Sequence, residues 1–407
     1  MTDAAVGAPP VLELETASMA AGGEAVARDD GRVVFVRGAL PGERVRARLV
    51  EERRSFARAD LVEVVRASPD RRNPPCPHVA DGCGGCDWQH ADPAAQVELR
   101  RTIVRDALTR IGRLVDPVVE VGPPLPSEGY RTTVRCTVVG GRAGYRRRAS
   151  HEGLAVDRCL VAHPLVDELI VEGRFGSAAE VTLRAGAATG ERLVLAHPTA
   201  QGVVVPPGVI VVGADELAAG RQAWFHEVVA GRTWRVSASS FFQASPAGAE
   251  GLVAAVGDLV AAHAPEARSL VDLCAGVGLF AGTVGAGRSV EAVERHGPAV
   301  ADLQANLADD ATVVGGSFES WSPSPGRGRR PFDVVVADPA RRGLAKAGVA
   351  AVARAGAGLV VLVSCDPAAL GRDAGLLLDA GYSHIGSRLV DLFPNTSHVE
   401  TVSGFRR

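Results

Sequence analysis

Five short valine-rich runs, "SLVDLCAG", "SVEAVE", "ATVVGG", "FDVVVADP" and "GLVVLVSC", follow one another beyond residue 236, separated by Ala/Leu-rich stretches of helical length. A strand that is apolar at consecutive positions is covered on both faces, and strands joined through helices run parallel. The C-terminal part is therefore predicted to be α/β, a parallel sheet wrapped by helices. In such sheets ligands sit beyond the carboxyl ends of the strands, so the residues that close each run become the candidates for chemistry.

The first run ends in "VDLCAGVGLFAG", with Asp272, Gly276 and Gly278 in a strand-turn-helix where the glycines let backbone approach a ligand. Gly276-x-Gly278-x-x-Ala281 satisfies a dinucleotide fingerprint, and Glu294, at the end of the next run, is positioned to accept from a ribose hydroxyl. The acidic residue four positions before the first glycine suits a sulfonium with an amino group, which points to adenosylmethionine, with NAD as the alternative. Two further strand ends carry Asp338-Pro339-Ala340-Arg341 and Ser364-Cys365-Asp366. Asp338 is expected to flank the cofactor crevice, with a helix N-cap before "ARRGLAKAG" as its plainer role. Pro367 opens a helical pattern two residues after Cys365, so the helix N-terminus is expected to lower the thiol pKa and make Cys365 a nucleophile rather than a packing residue.

Upstream the pattern changes. Residues 11 to 66 read as short strands broken by turns, with "RDDGR" as a hairpin signal, and suggest a small barrel of OB type. A Pro-rich hinge, "SPDRRNPPCPH", follows, then a mixture of one long helix and several strands. The reading divides the chain into a barrel at 8–70, an α+β central domain at 71–235 and the α/β domain at 236–407.

Seven cysteines, an odd number, fit metal or catalytic use better than a disulfide framework. Cys76-x6-Cys83-x2-Cys86 in a Pro/Gly loop needs a fourth thiolate, from Cys159 or Cys136, and spacing leaves zinc and an iron–sulfur cluster both open. Cys136 lies in an alternating strand and reads as buried apolar. The net charge is only −3, yet Arg100 to Arg148 hold eleven arginines against four acids, a segment expected to face a polyanion. Lys346 is the only lysine, so nearly every cation is a guanidinium able to grip phosphate in two-pronged fashion. No apolar run reaches the roughly 18 residues of a membrane span, and no signal peptide opens the chain, so a cytoplasmic protein without membrane partners is expected.

In order along nearly the whole chain, "GEAVARDDGRVVFVRGALPGE", "CPHVADGCGGCDWQH" with "DRCLVAHP", "SFFQAS", "DLCAGVG", "ADPAR", "VSCDPAAL" and "HVETV" resemble the RNA 5-methyluridine methyltransferases. The closest likeness is to the type with an N-terminal TRAM domain and a [4Fe-4S] cluster. The resemblance implies a Rossmann-like class I adenosylmethionine-dependent domain that methylates uridine C5, in ribosomal RNA by preference and transfer RNA as the alternative, as a monomer. It implies Cys365 as nucleophile, Glu400 as base, and Gln243, Asp272, Gly276, Gly278, Glu294 and Asp338 around adenosylmethionine. Cys76, Cys83, Cys86 and Cys159 would bind the cluster, and Phe241 would stack on an RNA base. Three positions depart from the family pattern: Asp366 stands where Asn is usual, the Cys76–Cys83 spacing is a residue longer, and Ala275 occupies the usual place of a cysteine, leaving Cys274 as packing. A flavin or nicotinamide oxidoreductase, and a non-catalytic RNA-binding protein with a vestigial nucleotide fold, are the competing readings.

Overall fold

The computed structural model describes residues 10–323 and 331–407; residue 8, taken above as the start of the barrel, lies outside them. Five strands, β1 (Val11–Met19), β2 (Ala25–Asp29), β3 (Arg32–Arg37), β4 (Arg44–Glu52) and β5 (Phe56–Arg66), close into a barrel of order β1-β2-β3-β5-β4. Alternation explains it: Ala25 and Ala27, Val34 and Val36, Val45, Ala47 and Leu49, and Ala57 and Ala59 point inward and are buried. Between β2 and β3, Asp29 pairs with Arg32 across Asp30 and Gly31, both at positive φ, the two-residue turn that matches strand twist. Buried Glu43 seals one end, accepting from Leu40 N at 2.8 Å and from the Arg71 guanidinium.

Asp92 caps α1 (Pro93–Arg110) by accepting from Ala94 N, and β6 (Val119–Val121) follows. Next come β7 (Thr133–Val139), β8 (Arg142–Arg146), β9 (Gly153–Ala155), α2 (Pro164–Glu172), β10 (Arg174–Phe175), β11 (Glu180–Ala185), β12 (Arg192–His197), β13 (Val203–Val204), β14 (Val209–Gly213) and α3 (Ala214–Ala218). They build a six-stranded sheet of order β14-β12-β11-β7-β8-β9, with β10 and β13 as a separate ribbon. Cys136 is buried in the core beneath this sheet.

The last region begins with the hairpin β15 (Trp224–Val229) and β16 (Arg232–Ser237), then α4 (Pro246–His263), β17 (Ser269–Asp272), α5 (Leu279–Gly282), β18 (Ser289–Glu294), α6 (Gly297–Leu307) and β19 (Thr312–Gly315). It continues through β20 (Val334–Ala337), α7 (Ala345–Ala355), β21 (Leu359–Ser364), α8 (Pro367–Asp379), β22 (Ser383–Leu389) and β23 (Thr401–Arg406). The sheet has eight strands in the order β19-β18-β17-β20-β21-β23-β22-β6. The first five in that order are parallel, and β23 inserts antiparallel between β21 and β22. Successive strands are added to one side of β17 as far as β19 and to its other side from β20, and this switch between β17 and β20 opens a crevice at their carboxyl ends.

The linear division at residues 71 and 236 does not coincide with the packing. β6 completes the C-terminal sheet by pairing with β22, and Val104 and Leu108 of α1 share a core with Leu370, Ala374 and Leu377 of α8. Residue 236 falls inside β16, whose Trp234 and Val236 belong to the core of that same sheet. No helix among the described residues is long and apolar enough to cross a membrane.

Candidate active site and cysteine cavity

The carboxyl ends of β17, β18, β20 and β21 open on one cleft of about 930 Å³, lined among others by Gln243, Gly276, Glu294, Asp338, Cys365 and Glu400. That volume lies at the upper end of small-molecule sites, which favours a cofactor plus a second reactant. At the first strand end, Gly276 and Gly278 both adopt left-handed φ, and a Cβ on Gly278 would stand 2.9 Å from Leu303 Cδ1. Glu294 braces the turn by accepting from Gly276 N at 2.9 Å, while its other oxygen accepts from Arg295 N and His296 N. Asp272 does not reach the cleft surface. It is fully buried beneath the turn, one oxygen accepting from Cys274 N at 3.3 Å and Oδ2 without a partner among the described residues. Cys274, read as packing, lines the cleft instead.

Asp338 follows β20 and accepts from Gln243 Nε2 at 3.2 Å. It is not a helix cap, because α7 starts only at Ala345. Burial lifts both Asp272 and Asp338 to about 7, the Gln243 hydrogen bond opposing it at Asp338. The antiparallel ladder explains the next pair. Ser364 of β21 stands opposite Thr401 of β23, so one step beyond the ladder Cys365 and Glu400 face each other although 35 residues apart in the chain. Glu400 is 3% exposed, with Oε1 unpartnered among the described residues. Burial and the neighbouring Asp338 hold its carboxyl well above the ordinary range.

The expectation of an acidic thiol is overturned. Burial, then the Glu400 and Asp338 carboxylates, push Cys365 up to about 12, opposed by Arg341 and a backbone hydrogen bond. Asp366 is turned into the helix that follows as its cap, accepting from Ala369 N at 2.7 Å. Asp366→Asn is therefore expected to leave both cap and thiol nearly unchanged, whereas Asp366→Ala costs about 1 kcal/mol in urea unfolding. A matching prediction concerns Glu400. In ligand-free protein, iodoacetamide labelling of Cys365 should keep rising past pH 9, and Glu400→Gln, by removing a negative neighbour, should shift that curve down by about one pH unit or more.

Phe241 lines the same cleft and is 69% exposed, while Phe242 is buried. Arg131, Arg341, Phe393 and His398 also line it, and of these only Arg341 was quoted individually from the sequence, at the end of its strand. His398 had a signal, being two residues before Glu400 in "SHVE", and Arg131 had its place in the arginine-rich segment; Phe393 had none.

Cys76, Cys83, Cys86 and Cys159 line a second cavity, of about 260 Å³, with Tyr145 O–H donating to Cys159 Sγ at 3.4 Å. Among the described residues no three His, Cys, Asp or Glu side chains stand together so as to hold a single metal ion. Burial raises Cys76, Cys83 and Cys86, the last to about 12.

The arginines between 100 and 148 fall into two groups. Seven of the eleven are ion-paired, Arg100 with Asp391, Arg101 with Glu98, Arg110 with Asp106, Arg113 with Asp379, Arg135 and Arg146 with Glu180, and Arg147 with Glu152. Arg105, Arg131, Arg142 and Arg148 have no ion-pair partner among the described residues.

A sheet of this order, parallel from β19 to β21, with a glycine turn after β17 and a cleft at the carboxyl ends of its strands, defines an α/β domain with a cofactor-sized site, joined to a small barrel. A TRAM domain model matches residues 13–62, which lie within the barrel. An uncharacterized RNA methyltransferase of Streptomyces avermitilis is 38% identical, covering 96% of this chain and 97% of its own. A second, from Streptomyces coelicolor, is also 38% identical and covers 96% and 92%. In structure, the chain is similar to a Pyrococcus abyssi tRNA (uracil-54, C5)-methyltransferase solved with S-adenosyl-L-homocysteine, at TM-score 0.73 and 22% identity over 97% of this chain and 99% of that one. The chain belongs to the TRAM-bearing family of RNA methyltransferases.

Proposed function

We propose that this RNA methyltransferase transfers a methyl group from adenosylmethionine to C5 of a uridine, with Cys365 as nucleophile and Glu400 as the base. The observation that carries the reading is the opposition of Cys365 and Glu400 across the open end of the β21–β23 ladder, inside the cleft that the glycine turn enters. The residues present suit the cofactor. Asp272 Oδ2 and Glu400 Oε1 are buried acceptors in want of a donor or a cation, and Gly276 and Gly278 keep the turn open. Gln243, Glu294 and Asp338 would complete its surroundings, with Asp272 acting from beneath the turn. When bound, adenosylmethionine supplies the electrophilic methyl group that activated C5 takes up.

Carbon 5 of uracil is a weak nucleophile. Addition of the Cys365 thiolate to C6 would make it the carbon of an enolate, splitting one hard step into easier ones. Glu400 would then remove the C5 proton, and loss of the thiolate would restore the base. A carboxyl held above its ordinary range is a stronger base, which suits that role. The reacting edge is inaccessible in a stacked helix, so the uridine would be flipped from a loop, with exposed Phe241 stacking on a base.

Cys76, Cys83, Cys86 and Cys159 would hold a [4Fe-4S] cluster. The four thiols line one cavity, and four thiolates are the donor set that such a cluster takes. Four cysteine ligands leave no open iron position, so the cluster would be structural. Anaerobically purified protein is expected to be brown and to contain iron, with Cys159→Ser reducing it; stoichiometric zinc without iron would reject the cluster. Mapping 5-methyluridine in RNA from cells with and without the gene tests the main reading. One uridine, in ribosomal RNA on this reading, should lose its methyl group, and an unchanged map would reject C5 methylation.

A further inference from the structure

One side chain lines both cavities. Arg131 forms part of the wall of the catalytic cleft and of the cysteine cavity. Its backbone is pinned beside Cys159: its N–H donates to Val161 O at 2.8 Å, and its carbonyl accepts from His163 N at 2.8 Å. The guanidinium carbon stands 6.0 Å from the Tyr130 ring centre and 5.6 Å from that of Phe393, and the Phe393 ring meets His398 edge-on at 5.9 Å. Arg131 Nε is sealed from water without a hydrogen-bond partner among the described residues. Aromatic faces hold a cation only weakly, so a guanidinium seated this way gains most from an anion arriving in the cleft.

The cleft divides what can approach it. Carboxyl groups of Glu294, Asp338 and Glu400 line one part of it, whereas Arg131, Arg341 and His398 line the same space with cationic or neutral character. The cysteine loop is also tied to the cleft by backbone. Trp88 N donates to Asn395 O at 3.0 Å, and Ser397 N donates to Asp87 Oδ1 at 2.9 Å, so the residues directly after Cys86 fix the segment that carries Phe393 and His398.

We propose that Arg131 binds a phosphate of the RNA beside the target nucleotide, and that the contents of the cysteine cavity, whose wall it forms, set how well it does so. The first half rests on the family assignment alone; the second also rests on the cluster reading, and the experiment separates them.

RNA affinity is measured against salt for wild type, Arg131→Gln and Arg131→Lys, with metal in place and after chelation, with S-adenosylhomocysteine affinity as the folding control. Arg131→Gln should bind RNA about tenfold more weakly. The slope of log affinity against log salt should fall by about 0.7 to 0.9, one phosphate contact, and Arg131→Lys should restore it. Removing metal should weaken RNA binding in wild type and far less in Arg131→Gln. A wild-type slope in Arg131→Gln overturns the phosphate contact, as does loss of S-adenosylhomocysteine binding, which would mark a structural residue. Equal losses on chelation in both proteins overturn the coupling. Iron is assayed first. A protein without iron rejects the cluster, Cys86→Ser then replaces chelation, and the salt slope still judges Arg131.

Discussion

Cys365→Ala is expected to abolish methyl transfer, with a loss of roughly 10⁴-fold or more, and never to become attached to RNA. Glu400→Gln should behave differently because the two residues act at different times. The thiolate is needed before the methyl group moves; the carboxylate is needed after it. With adenosylmethionine and a substrate RNA, Glu400→Gln should transfer the methyl group and stall. The product is a denaturant-resistant protein–RNA species carrying one methyl, since elimination requires removal of the C5 proton. A 5-fluorouridine target should trap the wild-type enzyme in the same way, because fluorine does not leave as a proton does. Mass spectrometry should find the RNA on Cys365. The cleft contains a second thiol, Cys274, so attachment there, or no covalent species with an otherwise good substrate, would sink the assignment.

Legibility in the sequence followed the range of the interaction. The Asp29–Arg32 turn and the parallel strands were readable because turn chemistry and period are local, and both appear where expected. β6 was not, since a three-residue strand has no period to detect and joins its sheet only through a pairing more than two hundred residues away. The opposition of Cys365 and Glu400 is likewise a matter of register between β21 and β23, and only family resemblance named it in advance. Local reasoning failed outright at the thiol. Proximity to a helix N-terminus is visible in sequence, but the burial and the two carboxylates that override it are contributed by other strands. Charge counting could not say which arginines are paired, because the partners of Arg100, Arg113 and Arg135 are distant in the chain.

Arg100 supports the largest expected stability change. It is 1% exposed, on the face of α1 turned toward the segment between β22 and β23. It donates to Asp391 Oδ1 at 2.7 Å, to Thr396 O at 3.1 and 2.9 Å, to Phe393 O at 3.3 Å and to Gln96 Oε1 at 3.1 Å, and its guanidinium lies over the Trp88 ring. Gln96 Oε1 in turn accepts from Asn395 N, and Tyr130 O–H donates to Pro394 O. One buried fork thus organises the segment that delivers Phe393, His398 and Glu400 to the cleft. Arg100→Ala would leave Asp391 and two carbonyls without their donor in a largely buried site, at an expected cost of about 3–5 kcal/mol in urea unfolding. Arg100→Lys keeps the charge but not the fork, so it should recover part of the stability while proteolysis between 391 and 398 stays faster than in wild type. A loss below about 1 kcal/mol for Arg100→Ala would mean that the segment holds its shape without the fork. The route from α1 to Glu400 would then have to run through Asn395 and Gln96 alone.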